Sequence, residues 1–300
     1  MFALSHLAES MNQTENKITI MKGQQLMTQN YSRQKKKLTE RQTRSDKGKP
    51  QLTQRDLDIL RIIGEQTAYR FDQLQGLLAR HPMSHAVDPT FLSETRTTAM
   101  IRRWQQLGLA DYRKILHDQP GWLWLTAKGI AHLQLPVRFH EPFHGDMEHL
   151  YWINETRALV EDSYGPEPGF CWESERLIRT TQERLLAQQK QDQHVDLWLP
   201  LEYQCQHRVD GLFRYPVGQE AKEYVTAIEV ELSHKAYSTW KKIFVELVKH
   251  HHRVQYYVHS TVMTSLAKAV ERFQNEEPEY GEPSRERRSC ISLHDLEERL

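Results

Sequence analysis

Leu57, Leu60 and Ile63 recur at helical spacing behind Thr53, and Asp56 stands where a reciprocal cap needs an acid. The stretch "LTQRDLDILRIIGEQ" therefore predicts a first helix. Leu74, Leu77 and Leu78 repeat the pattern in "FDQLQGLLAR", a second, shorter helix expected to pack on the first. After a loop holding Pro82 and Pro89, "SETRTTAMIRRWQQLGLADYRK" predicts a third, with Ser93 as cap and Gly108 as stop. Met100, Ile101, Trp104 and Leu107 form its apolar face, and Arg96, Thr97, Arg102 and Arg103 are read as its polar face. The period then changes. "LADYRKILHDQPGWLWLTAKGIAHL" reads as a strand, a turn at 119–121, a strand with Trp122, Trp124 and Thr126, and a closing helix.

Three helices followed by a two-stranded hairpin is the order of a winged helix-turn-helix, in which the third helix enters the major groove and the hairpin touches the backbone. From "LTQRD" through "RRWQQLGL" to "WLTAKG" the chain resembles winged-helix DNA-binding domains, an α+β unit over residues 51–135. The resemblance implies double-stranded DNA as partner, contacted by Arg96, Thr97, Arg102, Arg103 and Lys128. Winged helices also serve protein contacts. Trp122 and Trp124 are expected to pack on the helices rather than stack on bases.

Residues 136–145, "PVRFHEPFHG", break the periodicity and read as a linker. Beyond it "DMEHLYWINETRALVEDSYG" is helical, with Leu150, Ile153 and Val160 inward, and a short strand is expected near "GFCWESERLI". The Gln-rich "TTQERLLAQQKQDQ" is expected to be exposed. Strands follow at "HRVDGLFRYP" and "EYVTAIEVELS", separated by a turn at 216–218. Then come a helix through Tyr237, Trp240, Phe244, Leu247 and Val248, a strand at "RVQYYVHS" and a helix at "MTSLAKAVERFQ". Strand, helix and strand form a β-α-β unit, so residues 146–274 predict an α/β domain with a parallel pair and a right-handed crossover. Residues 275–300 read as a charged tail.

Within "AIEVELSHK" (227–235), Ile228, Val230 and Leu232 share one face, and Glu229 and Glu231 the other. Alternating acids usually mark a solvated strand, but a strand inside a β-α-β unit is covered on both faces, where two acids are costly without a partner. A metal-dependent phosphodiesterase places carboxylates around Mg²⁺ so that the ion activates water and offsets charge on the leaving oxygen. Asp210 on the preceding strand could face Glu229, with Lys235 over the same surface. This order resembles the PD-(D/E)xK nuclease superfamily. The resemblance implies catalytic roles for Asp210, Glu229, Glu231 and Lys235, and Mg²⁺ held by Asp210, Glu229 and an upstream acid. Glu175 is preferred as that acid over Glu148 and Glu173. Two departures stand out: Val209 occupies the usual proline position, and Glu231 the usual lysine position, with Lys235 as a displaced substitute.

Winged helix, linker and "HRVDGLF…AIEVELSHK…VQYYV" together resemble the replication-relaxation family of plasmid and mobile-element proteins, over about two thirds of the chain. The resemblance implies an accessory role in plasmid replication or transfer, with replication or transfer proteins as partners; it does not imply cleavage. Two alternatives remain open: a Mg²⁺-dependent endonuclease directed by its winged helix, and a transcriptional regulator with an interaction domain. Dimerisation is not specified.

Composition narrows this further. The 40 basic and 40 acidic residues balance overall, but residues 1–50, with "RQKKKLTERQTRSDKGK" as their centre, are basic and polar enough to be expected as a disordered arm. Cys171, Cys205 and Cys290 match neither a disulfide framework nor a zinc spacing, which points to a reducing cytoplasm. No run of eighteen apolar residues occurs, so no membrane partner is expected. Walker loops, GxGxxG and nucleophile elbows are absent from the sequence. His250, His251 and His252 are adjacent in sequence, so they cannot all reach one ion and read as a basic helix end. His144 and His149 read as ordinary linker and surface residues.

Overall fold

The Thr53 hydroxyl accepts from the Asp56 amide at 3.3 Å and the Asp56 carboxylate accepts from the Thr53 amide at 2.7 Å, closing the reciprocal cap that starts α1, Gln54–Gln66. The structure is a computed structural model and describes residues 50–84, 86–88, 90–165, 169–191, 199–217 and 222–297. A short strand β1, Ala68–Arg70, leads into α2, Phe71–Arg80, and after a loop comes α3, Glu94–Gln106. Gly108, at φ +69°, ends α3 in the left-handed conformation open to glycine. Strands β2, Ala110–Arg113, and β3, Trp122–Leu125, form a hairpin, and α4, Ala127–His132, closes the segment. The strands make an antiparallel sheet in the order β1-β3-β2. Ile59, Leu60 and Ile63 of α1, Leu74, Leu77 and Leu78 of α2, and Met100, Ile101 and Trp104 of α3 share one core beside it.

The second half is built on α5, Met147–Tyr164, β4, Cys171–Ser174, and α6, Glu175–Gln191. It continues through β5, Gly211–Val217, β6, Lys222–Glu231, α7, Tyr237–His250, β7, Arg253–Val258, and α8, Ser260–Asn275. A short helix α9, Arg285–Arg288, and a strand β8, Ile291–Asp295, complete it. The sheet order is β4-β5-β6-β7-β8, antiparallel from β4 to β6 and parallel from β6 to β8. Ala227 and Val225 of β6 and Val254, Tyr256 and Val258 of β7 face α7 and α8, through Phe244, Leu247, Leu266 and Phe273. Phe213, Ile228, Val230 and Tyr257 face the other way, onto Ile153 and Val160 of α5. The chain is a mixed α and β protein, and its larger sheet lies between helical layers.

Two expectations change and a third gains detail. Residues 275–300 are not an appendage: β8 adds a fifth strand parallel to β7, and the fully buried Arg288 binds the carbonyls of Phe273 (2.6 Å), Glu276 (3.1 Å) and Pro283 (3.1 Å) and pairs with Glu282. The "TTQERLLAQQKQDQ" stretch keeps its exposure but lies largely on α6. Residues 136–145 do not separate the two halves, because α5 packs Met147 against Ala68, Trp122 and Trp124. Asn154 donates to the Ala68 carbonyl at 2.9 Å, Ser174 to the Glu65 carbonyl at 2.6 Å and Arg176 to the Gly64 carbonyl at 2.6 Å, so residues 50–300 form one unit. The arm expected over 1–50 falls, but for Pro50, outside the described residues, as does part of the turn at 216–218.

Candidate functional site

On β6 the alternation places Glu229 and Glu231 on the face that α7 and α8 cover, where they are only 8% and 6% exposed. A solvated strand surface is thereby excluded. Asp210, 7% exposed, stands where β5 begins; its amide donates to the Ile228 carbonyl at 3.1 Å and its Oδ2 accepts from the Val230 amide at 2.7 Å. Gly211 is required beside it, since a Cβ there would lie 2.4 Å from the Trp172 indole.

Each carboxylate has a basic partner. His149 Nε2, from α5, is 3.3 Å from Asp210 Oδ2 and 3.1 Å from the Val230 carbonyl. Burial alone would lower the His149 pKa, but Asp210 and Val230 raise it to about 9. His207 Nε2 lies 3.2 Å from Glu229 Oε2. Burial pushes the Glu229 carboxyl up, His207 opposes this and Asp210 adds to it, leaving it at about 7. Burial lowers the His207 pKa, and the Glu229 contact outweighs this and raises it. Glu231 pairs with Lys235 and accepts from the Ser233 amide at 3.2 Å and Trp240 Nε1 at 3.4 Å.

The upstream acids separate clearly. Glu148 is exposed, and Glu173 accepts from the Tyr203 hydroxyl at 2.8 Å with Arg214 3.5 Å away. Glu175, at the start of α6, shares with Asp210 a cavity of about 390 Å³ that is also lined by His149, Arg176, Arg179 and Arg208. Burial raises the Glu175 pKa and Asp210 adds to it, while Arg179, Arg208 and His149 oppose it. Thr67, which also lines the cavity, holds φ +98°, a conformation that costs a non-glycine residue about 1–3 kcal/mol.

As arranged, these side chains do not fit Mg²⁺. The ion needs several oxygens converging in near-octahedral geometry. Asp210 Oδ2 and Glu229 Oε2 are engaged by His149 and His207, Lys235 is held by Glu231, and among the described residues no three His, Cys, Asp or Glu side chains converge on a metal position. Glu229 Oε1 is nonetheless buried with no hydrogen-bond partner among the described residues.

The histidines depart most from expectation. His149 belongs to the site, and only its tertiary contact with Asp210 reveals this. His251 is 1% exposed, and burial pushes its pKa down to about 3, so it is neutral rather than part of a basic helix end. His250 Nδ1 meets the Leu201 carbonyl at 3.2 Å.

On the first half, the solvent face of α3 comprises Glu94, Thr95, Arg96, Ala99, Arg102, Gln105 and Gln106. Arg102 makes no hydrogen bond or ion pair with a described residue and lines an open groove of about 940 Å³ between α3 and the hairpin, together with Lys114 and His117. Thr97 does not belong to this face. It is fully buried, with its hydroxyl donating to the Ser93 carbonyl at 3.1 Å. Arg103 is committed to the buried Asp56, which also accepts from Trp104 Nε1 at 3.0 Å, and exposed Lys128 donates to the Leu107 carbonyl at 2.7 Å. Trp122 and Trp124 are 1% and 2% exposed, in the joint with α5.

No family model, curated protein or solved structure matches the chain. Among the described residues, no helix is long and apolar enough to cross a membrane.

Proposed function

We propose that this chain binds double-stranded DNA through α3 and the β2–β3 hairpin, acting as a winged helix-turn-helix, and that its second half is a nuclease-like domain that organises DNA or partners without cutting. The observation that carries the reading is the order α1-β1-α2-α3-β2-β3 with an antiparallel β1-β3-β2 sheet, combined with a third helix whose outer face is solvent-exposed, polar and arginine-bearing. Glutamine and arginine side chains on a helix can reach base edges, and arginine serves both phosphate and guanine. Arg96 and Arg102 are the contacts on this reading; Thr97 and Arg103 hold the helix in place.

Asp210 and Glu229 at the ends of adjoining strands, followed by a helix and a parallel strand, support the nuclease-like reading of the second half. Their histidine partners and the Lys235–Glu231 pair favour a non-cleaving role. The resemblance to replication-relaxation proteins sets this role in plasmid or mobile-element replication or mobilisation. Incubation with supercoiled plasmid tests both halves: a band shift weakened in Arg102→Ala is expected, without nicking in Mg²⁺ or Mn²⁺. Metal-dependent nicking abolished by Asp210→Ala and Glu229→Ala would instead establish an endonuclease.

A further inference from the structure

The cavity between the two halves has features that a duplex-binding helix does not use. Its volume, about 390 Å³, falls in the range of pockets that take small ligands, and a duplex could not enter it. Two guanidinium groups, Arg179 and Arg208, line it without a hydrogen bond or ion pair to a described residue. A third, Arg176, is 7% exposed with its Nε unpartnered among the described residues. Burial, and after it the charges of Arg176 and Arg179, lower the pKa of His140 on the same wall, which marks an electropositive environment. Of the three acids on its wall, Asp210 pairs with His149, Glu175 faces Arg179 and Arg208, and Asp146, exposed to solvent, opposes the two arginines at His140 without outweighing them. At the rim stands Phe143, an aromatic ring 70% exposed to solvent.

Unpaired guanidinium groups suit a phosphate, which they can grip through two parallel hydrogen bonds. A solvent-exposed ring at the mouth suits a base, since every base has a π face to lay on it. We propose that this cavity takes one unpaired nucleotide, its phosphate held between Arg179 and Arg208 and its base laid on Phe143. The nucleotide has two sources, a free mononucleotide or one residue of a single strand, including one extruded from a duplex. The proposal shares with the winged-helix reading only its ligand class, nucleic acid, and uses none of the same residues.

The test is fluorescence anisotropy of the full chain with labelled oligo(dT), with dTMP and inorganic phosphate as competitors and a hairpin duplex measured in parallel. Wild type is expected to bind oligo(dT). Phe143→Ala should bind it about tenfold more weakly, from the loss of one stacking contact. Arg179→Ala and Arg208→Ala should each lose about tenfold, from the loss of a charged hydrogen bond. Duplex affinity should be unchanged in all three. Competition by dTMP well below the phosphate concentration needed would identify a free nucleotide as sufficient; oligo(dT) binding that dTMP does not displace would identify the strand. Absence of oligo(dT) and dTMP binding, or undiminished affinity in all three variants, would overturn the proposal. Oligo(dT) binding without duplex binding would support the cavity and overturn the α3 reading instead.

Discussion

His149 on α5 reaches across to Asp210 at the entrance of β5, its Nε2 standing 3.3 Å from Asp210 Oδ2 and 3.1 Å from the Val230 carbonyl. One ring thus ties the first helix of the second half to both strands that carry its acids. The folded pKa of His149, about 9, lies above its ordinary value of 6.5, so protonation favours the folded state. The stability it contributes is complete below about pH 6.5 and is lost as pH rises through about 9. The side chain is 42% exposed, and the effect should be correspondingly modest. Urea unfolding across this window should show a decline in wild type that is absent in His149→Ala; an equal decline in both would remove the pair from the account.

Asp56 closes the α1 cap and receives both Arg103 and Trp104 while fully buried. Replacing it with alanine strands these donors and should cost about 3–5 kcal/mol in chemical denaturation, the range for breaking a buried ion pair. A loss near that of a surface cap alone, about 1 kcal/mol, would show that Arg103 and Trp104 find other partners.

Gly211 sits against the Trp172 indole with no room for a methyl group. Gly211→Ala should therefore destabilise by about 1–3 kcal/mol through overpacking, read from the urea midpoint at unchanged slope. A neutral substitution would mean that Trp172 moves freely.

Arg288 anchors the last segment through three carbonyls and Glu282. Arg288→Ala should cost about 3–5 kcal/mol, with protection of β8 amides lost first in hydrogen exchange. Unaltered exchange in β8 would show that its pairing with β7 suffices.

Most elements were legible because their signals are local. The Thr53–Asp56 cap, the leucine stripe of α2, Gly108 after α3 and the alternation in β6 each depend on neighbours a few residues away. Thr97 could also have been read correctly: with Met100, Ile101 and Trp104 it continues the buried stripe at spacings of three and four. The alternation of Ile291 and Leu293 in β8 was masked by the surrounding charges. What was not legible depends on distant partners. Arg103 looks like a phosphate contact until Asp56 is placed beneath it, and His149 looks like a surface residue until α5 crosses the sheet to Asp210. For the same reason, Asp210, Glu229, Glu231 and the nearby Lys235 could be identified as candidates, but not the histidine partners His149 and His207.

The salt dependence of duplex binding tests the central claim most directly, because each phosphate contact releases counterions and steepens the fall of affinity with salt. With log affinity plotted against log salt, Arg102→Ala should bind more weakly and lower the slope by about 1, whereas folded Arg103→Ala should keep the wild-type slope. An unchanged slope in Arg102→Ala, or an equal reduction in Arg103→Ala, would contradict the assignment of the outer face of α3 as the DNA contact.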